Sequence, residues 1–275
     1  MNNLTISELD EVAKQLRMTA LTMIYKAQSG HPGGSLSAAD IMASLYFHAM
    51  NIDEDNYKDE TRDRFVLSKG HVCPILYSTL IQKKIVPKEE MNHLRKEGAM
   101  FQGHPDMKKC PGIDISTGSL GQGISCAVGM ALSAKRSNKD YYTYTLLGDG
   151  ECNEGQVWEA CQTASKYDLD NLFVIVDNNK IQNDGKSSEI MPTRNLKDKF
   201  SAFGFESLEV NGHDIKELTQ VLDLLRTHKN GLPKAIVCNT IKGKGVSYME
   251  NIPAWHGMAP NDEEFEKAMS ELRGV

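Results

Sequence analysis

No apolar run in the 275 residues approaches the ~20 that span a bilayer. The N-terminus also lacks a basic segment followed by an apolar core, so neither a membrane anchor nor an export signal is expected and a cytoplasmic location is. The six cysteines, Cys73, Cys110, Cys126, Cys152, Cys161 and Cys238, form no CxxC pair and have no metal-ligand spacing with histidine. That excludes a disulfide scaffold or zinc ribbon and fits buried, reduced thiols. Basic runs and stripes are missing too: 31 Lys and Arg stand against 37 Asp and Glu, a net charge of −6, which speaks against nucleic acid and anionic membranes as partners. There is no internal repeat, low-complexity tract or linker, so one domain over residues 1–275 is expected. The hydrophobic fraction of 40% and charged fraction of 25% are those of a globular chain long enough for one large α/β core.

Strand and helix patterns alternate along that core. Thr5-Ile6-Ser7-Glu8 reads as a capping box, and Leu9, Val12, Ala13, Leu16, Ala20, Leu21 and Ile24 form one apolar stripe to about Gln28. A Gly/Pro loop over 29–35 then ends that helix, and Ser37 and Asp40 suggest a second capped one. Further helices are predicted over 72–81, 87–96, 124–135, 153–166 and 196–203, with another opened by Asp214. A charged helical tail over 261–273 reads as a solvated surface. Short apolar runs at 65–67, 144–147, 172–176, 208–210 and 235–240 read as strands, which predicts a doubly wound, mostly parallel α/β sheet flanked by helices.

Two of these strands end on chemically pointed sequences. Gly148-Asp149-Gly150 follows the run at 144–147, and Asn178-Asn179 follows the run at 172–176, with a helix between them. In such a βαβ unit both ends face the crevice beyond the carboxyl edge of the sheet, where ligands bind. One carboxylate, from Asp149, and one neutral amide oxygen, from Asn179, make a sparse hard-oxygen set suited to Mg²⁺, whose remaining positions phosphate oxygens and water can fill. Glycine permits close backbone approach, and the helix that follows directs its positive end at a phosphate. The pair therefore reads as a site for Mg²⁺ and a diphosphate.

Four of the eight histidines, His31, His71, His104 and His256, stand beside glycine in loops. Neutral imidazoles lining a cleft can exchange protons with carbonyl and hydroxyl oxygens of a sugar. His48, His93, His213 and His228 fall in helical or turn contexts without a motif.

The GDG and NN pair resembles the thiamine diphosphate fingerprint. SGHPGG (29–34), SKGH (68–71), GHPD (103–106), TGSLGQG (117–123) and AWHG (254–257) narrow the resemblance to the transketolase family, whose signature segments they match in order. The resemblance covers roughly residues 10–260. It implies the thiamine diphosphate-binding fold and thiamine diphosphate with Mg²⁺ as cofactors, the metal held by Asp149, the side chain of Asn179 and the carbonyl of Ile181. It implies that His31 and His256 bind the donor sugar and assist proton transfer, and that His104 polarises the carbonyl. His71, Gly118, Ser119, Leu120, Gly150, Asn179, Lys242 and His256 match cofactor contacts, and Glu154 and Glu159 match acidic residues near a subunit interface. Position 119 is serine where some transketolases have proline, and GHPD stands where others have GHPE.

The family also needs a pyrimidine-binding domain, whose glutamate activates the cofactor, and a C-terminal domain; neither has motifs here. The resemblance thus implies the N-terminal, diphosphate-binding subunit of a split transketolase. A C-terminal transketolase subunit would complete it in an α₂β₂ assembly acting on sugars or sugar phosphates. Alternative readings are a 2-oxoacid dehydrogenase α subunit, which shares the GDG and NN elements, a 1-deoxyxylulose 5-phosphate synthase, or a non-catalytic cofactor-binding protein.

Overall fold

The computed structural model describes residues 4–274. Helix α1 (Ile6–Ala27) begins at the expected capping box: Thr5 Oγ accepts from the Glu8 N–H, and the Glu8 carboxylate accepts from the Thr5 N–H at 2.7 Å. It ends on Gln28 in the left-handed conformation. The Gly/Pro segment that follows is mostly helical: α2 (Pro32–Ser37), with Pro at its first turn, runs into α3 (Ala39–Ser44) and a π-helical turn over Leu45–Ala49.

Ser37 and Asp40 are therefore not caps. Ser37 Oγ donates to Asp177 at 2.6 Å, and Asp40 pairs with Arg17 and His213. After β1 (Arg64–Leu67) come α4 (Cys73–Gln82) and, instead of a helix over 87–96, only a 3₁₀ stretch at Lys88–Asn92. None of its five residues is buried, so the polar Lys-Glu-Glu segment has no apolar stripe to hold it on the core.

The remaining elements are α5 (Gly123–Arg136), β2 (Thr143–Gly148), α6 (Gly155–Lys166), β3 (Leu172–Asn178), the short α7 (Ser187–Ile190), α8 (Leu196–Ala202), β4 (Glu206–Asn211), α9 (Ile215–Thr227), β5 (Lys234–Asn239) and α10 (Asp262–Arg273). The expected cap at Asp214 is present, its side chain accepting from the Glu217 N–H at 3.0 Å.

All five strands are parallel in the order β1-β2-β3-β5-β4. Alternate residues feed opposite faces, as expected for strands buried on both sides. Phe173 and Ile175 join Leu16, Met42, Tyr77 and Leu222 from α1, α3, α4 and α9, while Val174 and Val176 join Ile124, Val157 and Phe200 from α5, α6 and α8. The chain steps past β5's position to β4 and then returns, and with right-handed crossovers that reversal puts α9 on the face opposite α8. Helix α10 is only half solvated, because Ala268, Met269 and Leu272 pack on Leu21, Leu36 and Trp255. Among the described residues no helix is long and apolar enough to cross a membrane. Five cysteines are buried and Cys126 is exposed.

Candidate active site

Parallel strands end on the same edge, so register decides what meets there. Gly148 pairs with Asp177 across β2 and β3, and Asn178 with Asn239 across β3 and β5, which carries Asp149, Asn179 and the segment from Thr240 to Lys242 to one edge of the sheet. A cavity of about 440 Å³ opens there, with Asp149, Asn179, Lys242, His31, His71 and His256 among its walls.

At one end of the cavity the groups are oxygens and cations. Asp149 is 3% exposed and accepts from Ser187 Oγ at 2.6 Å; burial still raises its pKa above the usual carboxylate value. Asn179 Oδ1 accepts from the Ile181 N–H at 3.2 Å, and the Ile181 carbonyl accepts from Lys242 Nζ at 3.0 Å. Carboxylate, amide and carbonyl oxygens are thus gathered within one loop system. Among the described residues no group of three or more His, Cys, Asp or Glu could hold a metal, and the donor chemistry fits instead a hard ion that takes few protein ligands and keeps water and phosphate oxygens. Gly150 leaves room for the loop, since a Cβ there would lie 2.9 Å from Gln182 Cγ. The site residues therefore fit Mg²⁺ with a diphosphate.

Lys242, 2% exposed, is no solvated turn residue. Its Nζ donates to His256 Nδ1 at 2.7 Å, and burial together with the nearby Lys69 ammonium lowers its pKa to about 8. Lysine has no acceptor, so the bond fixes neutral His256 with its proton on Nε2.

At the other end are imidazoles without counterions. The rings of His31, His71 and His256 pack mutually, with centroids 5.1 to 5.4 Å apart. Burial lowers the pKa of His31 to about 4 and of His256 to about 3, helped by the cations Arg95 and Lys242 respectively, and drives His71 well down. All three are neutral near pH 7 and can both donate and accept.

The structure brings together most of the residues marked from sequence, but not all. Gly118 and Leu120 line the cavity, while Ser119 is exposed and outside its wall. His104 is not a wall residue; its ring packs where a Gly118 Cβ would stand, 3.1 Å away. Glu154 lines the cavity at the start of α6, and Glu159 is exposed on that helix.

Several supporting residues carry no signature in the sequence. Asp177, fully buried, takes hydrogen bonds from Lys69, Thr240 and Ser37. Burial alone would raise its pKa, but Lys69 and the hydroxyls outweigh it and hold the carboxyl below the usual range. Glu151, 3% exposed, accepts from Ser68 Oγ at 2.5 Å and the Gly121 and Gly148 N–H groups at 2.9 and 3.1 Å, tying the 117–123 loop to the ends of β1 and β2. Behind Lys242, His213 Nε2 accepts from the Ile241 N–H at 2.8 Å and its Nδ1 meets Asp40, which Arg17 grips with two nitrogens. The only hints of these partners were an aspartate directly before Asn178-Asn179 at the end of an apolar strand, and a lysine inside SKGH.

Known proteins settle the family. A family model described as transketolase, thiamine diphosphate binding domain, matches residues 9–273. The chain belongs to the transketolase family. It is 39% identical to one of the separately encoded subunits of the apulose-4-phosphate transketolase of Phocaeicola vulgatus, covering 97% of this chain and 94% of that one. It is 43% identical to SqwG, a subunit of the 6-deoxy-6-sulfo-D-fructose transketolase of a Clostridium species, covering 96% of each. Among solved structures, transketolase from Campylobacter jejuni superposes with a TM-score of 0.92 at 34% identity, over 98% of this chain but 43% of that one. The chain thus spans less than half of that transketolase and nearly all of the two separate subunits. It is a transketolase-family N-terminal subunit with the thiamine diphosphate-binding fold.

Proposed function

We propose that the chain is the diphosphate-binding half of a two-chain transketolase that moves a two-carbon ketol unit from a ketose phosphate to an aldose phosphate. The observation that carries the reading is one cavity walled by a buried carboxylate and amide at adjacent strand ends and by three neutral, mutually packed imidazoles. In this reading Asp149, the Asn179 side chain and the Ile181 carbonyl would hold Mg²⁺, and Gly118, Ser119, Leu120, Gly150, His71 and Lys242 would serve the cofactor. Thiamine diphosphate, when bound, supplies the carbanion chemistry that protein side chains cannot. The chain's own residues bind, orient and exchange protons. His31 and His256 would hydrogen-bond the donor's oxygens and shuttle protons to and from them, and His104 would polarise its carbonyl.

Residues 1–275 would form a single diphosphate-binding domain. By likeness to the separate transketolase subunits, the pyrimidine-binding and C-terminal domains would come from a partner chain in an α₂β₂ assembly in the cytoplasm. Glu154 in the cavity wall and exposed Glu159 would then lie toward the interface.

The test is reconstitution with the co-purifying partner chain, followed by assay of ketol transfer from xylulose 5-phosphate to ribose 5-phosphate. Transfer dependent on both thiamine diphosphate and Mg²⁺ is the expected result. A complex that retains the cofactor yet reduces an artificial electron acceptor with pyruvate, or condenses pyruvate with glyceraldehyde 3-phosphate, would replace this reading with one of the alternatives.

A further inference from the structure

We propose that Arg95 is a positioning residue that ties the two Gly-His-Pro segments together and fixes His31 with its proton on Nε2. The inference rests on the transketolase reading only for its consequence in turnover; the geometry stands without it.

Arg95 lies in none of the quoted motifs, yet its guanidinium reaches both segments. Nη1 donates to Ser29 Oγ at 2.8 Å, and Nη2 contacts His31 Nδ1 and the Gly103 carbonyl, each at 3.4 Å. Ser29 and His31 belong to the first segment, and Gly103 immediately precedes His104 in the second. An arginine has no acceptor, so the nitrogen it faces on His31 must be the unprotonated one. Lys242 imposes the same tautomer on His256.

Three features show that this placement is built in. The backbone of Arg95 is left-handed, φ 60°, a conformation non-glycine residues adopt at a cost. Its Nε is buried with no partner, a second cost that a solvated arginine would not bear. Finally, Gly103 is needed for the approach, because a Cβ there would lie 3.3 Å from Arg95 Nε and 3.5 Å from Cζ. The glycine of the second segment thus serves the arginine.

The charge acts in the same sense. Arg95 is among the groups that lower the pKa of both His31 and His104, alongside burial and, for His31, His104 and Lys242. The rings of His71 and His256 pack against His31 from the other elements.

The experiment is ¹⁵N-histidine NMR on the full chain, wild type and Arg95→Met, with circular dichroism to verify the fold. We expect wild-type His31 to show an unprotonated Nδ1. In Arg95→Met that signature should give way to a mixture of tautomers, and the titrations of His31 and His104 should both rise, by on the order of one pH unit. Unchanged tautomer and titration in a folded Arg95→Met would overturn the proposal. If that variant does not fold, Ser29→Ala, which frees one arm of the guanidinium, should move His31 in the same direction by less; no movement would be equally fatal. In the reconstituted complex Arg95→Met should lower kcat several-fold with thiamine diphosphate affinity unchanged, and a lysine should restore only part, since it lacks the fork. Loss of cofactor affinity instead of kcat would assign Arg95 to cofactor binding and overturn the positioning role. A wild-type complex without ketol transfer would sink the transketolase reading while leaving the NMR result standing.

Discussion

The two ends of the cavity solve opposite electrostatic problems. Around Asp149 and Asp177 every buried charge has a partner: Lys69 on Asp177, hydroxyls on both carboxylates, Lys242 on the Ile181 carbonyl. Around His31, His71 and His256 no carboxylate intervenes, and the nearest charges, Arg95 and Lys242, repel a proton. Charge is fixed where a charged ligand would be held. It is suppressed where protons would move, because an imidazole paired with a carboxylate would stay protonated and could no longer accept.

The largest way to break this division is to strip one charge of its partner. Lys69→Met leaves the Asp177 carboxylate buried with hydroxyl donors only, and should cost ~3–5 kcal/mol of stability. Urea unfolding of the isolated chain measures it. The double variant with Asp177→Leu should recover much of the loss; if it recovers none, the pair is not what the site is built on.

Next comes Asp149→Asn, which removes the single charged oxygen from the proposed metal set. Changes even to groups behind a metal's ligands typically cost 10–100-fold, so cofactor retention in the presence of Mg²⁺ should fall by roughly 100-fold. Calorimetric titration of thiamine diphosphate into the assembled complex would show it, and unchanged affinity would remove Asp149 from the metal site.

These residues also show where sequence is a good guide. Asp149 and Asn179 were legible because strand ends in a parallel sheet are predictable from apolar runs, and the strands formed within a residue or two of the expected bounds. Lys69 and Asp177 were not, since their pairing joins residues 108 apart and a buried charge violates the pattern that apolar periodicity detects. Burial of α2 was missed for a related reason: Pro-Gly-Gly-Ser reads as a loop, yet its small residues let the turn sit directly under the site. The helix expected over 87–96 failed in the other direction, propensity without an apolar face to dock, and the left-handed turn at Arg95 lies within that span.

The histidine end predicts a pH dependence of definite sign. His31 and His256 have folded pKa values near 4 and 3 against 6.5 for a free imidazole side chain, so the unfolded chain binds more protons below about pH 6.5. Their contribution to stability is complete above that pH and is lost as pH falls toward 4. Thermal unfolding should therefore show a midpoint dropping from pH 6.5 downward, and His31→Asn with His256→Asn should flatten that slope. A slope unaffected by both changes would mean that these rings are not held neutral.

The smallest effect sharpens the comparison, because it concerns an imidazole on the charged side. His213 differs from the cavity histidines in having a carboxylate, Asp40, on Nδ1, while its Nε2 accepts from the Ile241 N–H next to Lys242. Nε2 can accept only when it carries no proton, so Asp40 orients the ring by accepting a hydrogen bond from Nδ1–H, and Arg17 in turn holds Asp40. The arrangement moves no proton to a substrate; it holds a loop. His213→Ala leaves one backbone N–H unpaired, worth ~1–3 kcal/mol, of which only the part transmitted to Lys242 reaches the cofactor. Thiamine diphosphate affinity in the complex should weaken about tenfold or less while kcat at saturating cofactor holds. A fall in kcat at full occupancy would place His213 with the proton-moving histidines, and the division between the two ends would no longer follow the carboxylates.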